Sequence, residues 1–361
     1  MKLTHPAPFS AHWRATWMWW RWPNVRVETA TRPVAAEPVD VVALFRRVVH
    51  LDAVPERAPA RIWTDGRHVL RVNGAEVARG PVRADPKAPV YDVVDLAPHL
   101  VPGENVLAIT ARHFGVATSW WMPAPPTYSL GVGSLVFEAL LGDDWIVSDR
   151  SWRCAPGEAW TPVAVPGDVA CLPLESFDAR RHPAGWDRPG FDDSEWRKAV
   201  ELTALHTGSH GWSSPPTEPF GMLRPPVRHA FPRGDRHPAR LTGRRPVPVR
   251  PVGDDPVRQV LDDEAGADDA ASNTADMNSA ATVWSFDLER IAAGTVVLDV
   301  TGASPGTVID LAAAEHLDAD GRLVPLGQHA GLRLVTTGEA EQHFESLDVL
   351  GLRHAHLSVR P

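Results

Sequence analysis

Residues 60–80 read ARIWTDGRHVLRVNGAEVARG, and their division into short runs by turn residues decides the fold class. Residues 60–63, 68–72 and 76–79 are short apolar-containing runs of strand length bounded by turn residues. Between the last two stands Asn73-Gly74. This dipeptide supplies positive φ at both central positions of a two-residue hairpin turn. The same signature extends outward in both directions. Residues 39–51 and 90–95 flank the stretch, and 105–111, 135–141 and 145–148 follow, the last introduced by the turn residues Gly142-Asp143-Asp144. Residues 96–105, with Pro98, Pro102 and Gly103, read as a loop or a single turn. No helical hydrophobic period is sustained between 39 and 160, so this part is predicted to be a β-sandwich or jelly roll.

Composition agrees with an all-β reading. The 361 residues include 15 Trp and 35 Pro, the latter about twice the usual share of about 5%. Proline ends helices, and tryptophan is enriched in strands and wherever an apolar ring face with one polar edge is useful. The length suggests two to three domains. Apolar runs such as 134–141 fall far short of the roughly 20 residues that span a bilayer, which excludes an integral helical membrane protein. The N-terminus, Met1-Lys2-Leu3-Thr4-His5-Pro6, lacks the apolar core of a secretory signal, so the expected location is the cytoplasm. Cys154 and Cys171 are the two cysteines. They read as buried free thiols, with pairing left open.

Four segments are expected. Residues 1–38 hold Trp13, Trp17, Trp19, Trp20 and Trp22 and are predicted to pack on the sandwich. Residues 39–222 form the jelly roll with an irregular Pro- and Trp-rich extension, in which Asp192-Asp193-Ser194-Glu195-Trp196 reads as a short helical turn. Residues 223–282 read as a linker: eight arginines against Asp235 in 224–250, then eight carboxylates against Arg258 in 254–276. The acidic part has little to bury and is expected to be flexible. The basic part lacks interleaved aromatics, so nucleic acid is not an expected partner. Residues 283–361 return to strands, at 283–288, 295–300, 307–311, 332–336 and 354–359. This second β unit is short for a full sandwich and is expected to borrow strands or lack a partner.

Several motifs resemble a known family when taken in order. Trp63-Thr64-Asp65-Gly66-Arg67-His68, Val72-Asn73-Gly74, Arg79-Gly80-Pro81, Tyr91-Asp92, Asp95-Leu96 and Pro102-Gly103-Glu104-Asn105-Val106-Leu107-Ala108 resemble the N-terminal jelly-roll domain of bacterial α-L-rhamnosidases, glycoside hydrolase family 78. Asp149-Arg150-Ser151-Trp152-Arg153, Phe177-Asp178-Ala179-Arg180, Gly185-Trp186 and Phe191-Asp192-Asp193-Ser194-Glu195-Trp196 continue the resemblance. Phe286-Asp287-Leu288, Gly294, Gly302, Gly306, Ala314-Glu315 and Asp320-Gly321 are similar to the β-sandwich that precedes the family's catalytic domain. Glu289 stands where such proteins usually have Gly, and Leu352-Arg353-His354 where they tend to have Phe-Arg-Tyr.

The resemblance implies an all-β chain: a galactose-binding-like jelly roll followed by a second, smaller β-sandwich. It also implies a partner, an α/α toroid carrying the acidic pair for inverting hydrolysis of terminal α-L-rhamnose, which is expected to be absent from this chain. The reading is therefore a non-catalytic, carbohydrate-binding scaffold of a rhamnosidase-like hydrolase. An active α-L-rhamnosidase and a stand-alone lectin-like rhamnose-binding module are the alternatives. No cofactor is required; calcium is the one ion the resemblance admits.

Chemistry of the chain's own is sparse in the sequence. Inverting hydrolysis needs two carboxyl groups about 6.5–9.5 Å apart around a sugar. Asp192 with Asp193 reads as capping, Asp65 as a hairpin turn and Glu315 as a strand end, so no catalytic residue is assigned. His354-x-His356 lacks a third ligand, and Asp318-Ala319-Asp320-Gly321 resembles the start of a calcium loop without the remaining positions. For a rhamnose-containing carbohydrate the candidate contacts are Trp120 and Trp121, beside Pro123, Pro125 and Pro126, with Trp63, Asp65 and Trp186 added.

Overall fold

The Asn73-Gly74 turn forms as its chemistry requires. In the computed structural model Asn73 has φ 52° and Gly74 φ 84°, and Val72 pairs directly with Ala75. The structure describes residues 6–21, 25–29, 32–35, 40–82, 84, 89–114, 133–163, 174–202, 223–226, 236–270, 281–325 and 329–361. It is an all-β chain in two compact units: Met1–Gly157 with Pro183–Pro232, and Glu158–His182 with Arg233–Pro361.

The first unit is a sandwich of two antiparallel sheets. One runs Val200–Glu201, Met18–Trp19, Leu135–Leu141, Pro59–Thr64, Asp92–Asp95, with Asp144–Val147 hairpinned onto Leu135–Leu141. The other runs Arg197–Lys198, Arg153–Pro156, Val41–Leu51, Gly103–His113, Arg67–Val72, Ala75–Gly80. Alternation explains the core between them. Ala43, Phe45 and Val49, Leu107, Ile109 and Ala111, and Leu135, Phe137, Ala139 and Leu141 all join one cluster with Ile62, Leu70 and Trp152. A single short 3-10 turn, Ala97–His99, interrupts residues 96–105.

Both sheets also bury charge on their outer faces, because other segments cover them. Arg61 and Glu138 are direct cross-strand neighbours, both wholly buried. Arg61 Nε donates to Glu138 Oε1 at 2.9 Å, and its two terminal nitrogens donate to the carbonyls of Ser10 (2.8 Å) and His12 (3.0 Å). The Arg14 and Ala15 amides donate to Glu138 Oε2. Rings of Trp13, Phe9 and Tyr91 enclose the guanidinium at 3.8, 4.8 and 5.2 Å. Thus one ion pair straps the N-terminal segment across the sheet. Burial raises the Tyr91 hydroxyl above its ordinary range, against the pull of Arg61.

On the opposite sheet Arg46 has the same role. It bonds the carbonyls of Trp186 (2.9 Å) and Arg188 (3.1 Å) and pairs with Asp193, fixing the irregular stretch over the strand. The stretch Asp192–Trp196 makes a single turn, closed by Trp196 N to Asp193 O, while the Asp193 side chain serves Arg46.

Cys154 is buried in this unit, its thiol donating to the Trp20 carbonyl at 3.7 Å; Cys171 lies outside the described residues. Burial pushes its pKa up to about 12. Alkylation at about pH 8 should therefore leave Cys154 unmodified in the folded chain and modify it on denaturation, as mass spectrometry of the peptide would read. Rapid native labelling of Cys154 would contradict the placement.

The second unit is built on a seven-stranded sheet in the order Trp160–Val163, Leu174–Asp178, Ala330–Val335, Val308–Ala314, Glu341–Arg360, Ala281–Thr301, Arg240–Val247, with His316–Leu317 and Leu323–Val324 paired apart from it. It borrows three strands from upstream of residue 281. Leu174–Asp178 pairs in parallel with Ala330–Val335, a connection that places residues expected in the jelly-roll extension here instead. The two longest strands bend at bulges between Asp287 and Ala292 and between Thr295 and Val297. Glu289, the position expected to be Gly, has φ 62° in the first bulge.

The expected linker is not featureless. Residues Arg240–Val247 are an edge strand and Pro256–Ala270 an α-helix. Asp255 caps the helix, its carboxylate accepting from the Val257 and Arg258 amides, and Pro256 occupies the first position, where its missing N–H costs nothing. Val257 and Val260 pack on Ala312, Ala314 and Leu323. Charge alone suggests a flexible run; the helix holds because its acidic residues Glu264 and Asp263 meet His356 and Arg360 on a distant strand.

Glu289→Gly should raise the melting temperature slightly, by about 1 °C to a few degrees. The left-handed backbone costs a non-glycine residue about 1–2 kcal/mol, while glycine adds back about 0.5–1 kcal/mol of chain entropy. A clear fall in calorimetry would contradict that account.

Candidate functional site

The turn Thr64-Asp65-Gly66-Arg67-His68, expected as a hairpin turn, instead carries the chain from one sheet of the first unit to the other, and its side chains are all polar. Thr64, Asp65, Arg67 and His68 are all buried. Gly66, at φ 129°, permits the crossing: a Cβ there would stand 1.9 Å from the Arg112 carbonyl oxygen. The Asp65 amide donates to Ser134 O (2.9 Å), while His113 Nδ1 lies 3.2 Å from Asp65 O and 3.4 Å from its carboxylate. Trp19 packs edge-on against His113.

Two further pairs complete this end. His68 Nε2 approaches Asp92 Oδ2 at 3.3 Å, and Gly80 leaves room for both, since a Cβ would fall 1.9 Å from that oxygen. Arg112 grips Asp40 through Nε (3.0 Å) and Nη2 (2.5 Å), a bidentate fork, with Phe114 against the guanidinium. The arrangement can fix a crossover and orient two imidazoles.

Of the predicted contact residues, Asp65 lies at this crossover, wholly buried. Trp63 is also buried, its ring edge-on to Trp17 at 5.7 Å. Trp186 is buried and stacked on Trp196 at 5.9 Å. All three are buried within the first unit. Trp120 and Trp121 lie outside the described residues. The Arg61–Glu138 and Arg46–Asp193 clamps were missed in sequence; a lone charge inside an apolar run, as in Leu135–Leu141, was the signal for the first.

The acid–base candidates are engaged as well. Asp193 pairs with Arg46, and Asp192 accepts from the Ser194 amide, which holds its carboxyl below the usual range. Asp178, Asp287 and Asp299 are lowered too, the first by Arg180, the second by the Glu289 amide, the third by His343. A general acid needs the opposite displacement. The calcium set does not fit: Asp318 Oδ1 accepts from the Asp320 and Arg322 amides at 2.9 Å, and no group of three or more His, Cys, Asp or Glu among the described residues could hold a metal. No helix among the described residues is long and apolar enough to cross a membrane.

The fold and the crossover define a β-sandwich module with a polar crossover at one end. Residues 54–219 match the family described as the alpha-L-rhamnosidase N-terminal domain. An alpha-L-rhamnosidase of Streptomyces avermitilis is 30% identical over 184 residues, covering 50% of this chain and 14% of that protein. The glycoside hydrolase family 78 rhamnosidase structure from Bacillus sp. GL1 aligns over 97% of this chain and 53% of its own, with TM-score 0.66 and 17% identity. The Streptomyces avermitilis enzyme, solved with L-rhamnose, aligns over 88% of this chain and 27% of its own, with TM-score 0.58 and 21% identity. Residues 54–219 thus carry the family's N-terminal domain match, and the chain fits an N-terminal β-sandwich portion of a family 78 α-L-rhamnosidase. It spans 14% of the curated relative's length.

Proposed function

We propose that this chain is a non-catalytic β-sandwich scaffold of an α-L-rhamnosidase-like glycoside hydrolase acting on terminal α-L-rhamnose. The observation that carries the reading is the engagement of its buried carboxylates. Glu138 is spent on Arg61, and Asp310 on Arg333 and Arg360. A carboxylate forked by guanidinium offers no free lobe to a sugar. The family match over 54–219 supports the substrate class. The purified chain should release no aglycone from an aryl α-L-rhamnoside; sustained release would overturn the reading.

Carbohydrate contact, in this reading, falls to Trp120 and Trp121. Calorimetric titration with L-rhamnose should give heat that Trp120→Ala abolishes. A silent titration would leave the scaffold role without sugar binding.

A further inference from the structure

Three carboxylates are buried where the helix Pro256–Ala270 lies on the sheet of the second unit: Asp263 and Glu264 from the helix, and Asp310 from Val308–Ala314. Two buried guanidiniums answer them. Arg333 forks Asp310 at 2.6 and 2.9 Å, and Arg360 bridges Asp310 (2.9 Å) and Asp263. Ser358 adds a 2.5 Å hydrogen bond to Asp263.

That leaves Glu264. Its Oε1 meets His356 Nδ1, and its Oε2 has no hydrogen-bond partner. Arg245, on the edge strand, comes within 3.8 Å, but its side chain is 35% exposed and solvent weakens it. Around His356 stand Ser285 and Ala312 on the neighbouring strands and His354 two residues away on its own. The buried set therefore carries one uncompensated negative charge when His356 is neutral and none when it is an imidazolium.

We infer that docking of this helix is linked to a proton on the His356–Glu264 pair, making the helix a pH-sensitive latch on the second unit. With the proton bound, the cluster is balanced and the helix is held. As pH rises and the proton leaves, a buried carboxylate is stranded and docking weakens. Loosening uncovers the apolar patch of Ala312, Ala314 and Leu323 that Val257 and Val260 cover. A second pair, His329 with Asp255 at 2.6 Å, stands at the helix start and is the competing source of any pH effect.

The test is amide hydrogen exchange on the full chain at about pH 6 and about pH 9. Exchange in the helix is read against the strand Ala330–Val335 after correction for intrinsic rates. Relative opening of the helix should rise about tenfold or more at the higher pH, the worth of one charge-assisted hydrogen bond. Glu264→Gln, which removes the surplus charge, should give the same ratio at both pH values; His356→Gln should open readily at both. A wild-type ratio unchanged with pH overturns the inference. So does a pH dependence that persists in Glu264→Gln or His356→Gln, which would assign it to His329. Should Glu264→Gln not fold, the wild-type and His356→Gln ratios decide.

Discussion

Arg61→Met is expected to destabilise the first unit by about 3–5 kcal/mol, because it leaves Glu138 charged and buried without its partner. Both side chains are wholly buried, and the guanidinium also holds the Ser10 and His12 carbonyls. The effect should be far from additive. Replacing both partners, Arg61→Met with Glu138→Leu, removes the stranded charge, so the double variant should be more stable than Arg61→Met alone. Its residual loss reports the freed backbone groups of residues 10–15. Chemical denaturation of the three proteins checks this. A single variant within about 1 kcal/mol of wild type would mean the strap is not held by the ion pair.

Gly66→Ala should cost about 3 kcal/mol or more, the range of a substitution that forces backbone to move. Its added carbon meets a carbonyl oxygen of the adjacent strand rather than a flexible side chain, and φ 129° lies where only glycine rests easily. Gly142→Ala is the control. Gly142 also has positive φ, 65°, but nothing lies within 4 Å of a Cβ there, so its loss should be about 1 kcal/mol. Equal losses at the two positions would show that conformation alone, not the crossing of the sheets, sets the requirement at Gly66.

The strands of the first unit were legible because their signals are local. Asn73-Gly74 determines its own turn, and the alternation of Leu135–Leu141 declares which side chains face the core. The helix Pro256–Ala270 was illegible for the opposite reason. Asp263 and Glu264 look like solvated acids until His356 and Arg360, over ninety residues later, are brought to them by the register of Glu341–Arg360. The burial of Trp63 and Trp186 was illegible on similar grounds. A tryptophan in an alternating run carries no mark of whether its outer face is open, and here Trp17 and Trp196 fill the space. Glu289 shows the two levels agreeing: a residue type unusual at its place stands in a backbone conformation that favours glycine.

The assignment of a structural role to the polar interior is tested most directly by aglycone release from an aryl α-L-rhamnoside by the purified full chain. Release indistinguishable from buffer, from a chain that melts cooperatively, is the predicted result. Saturable release that disappears on substituting Asp65, Asp193 or Glu138, in variants that remain folded, would contradict it and place a catalytic carboxylate in the sandwich.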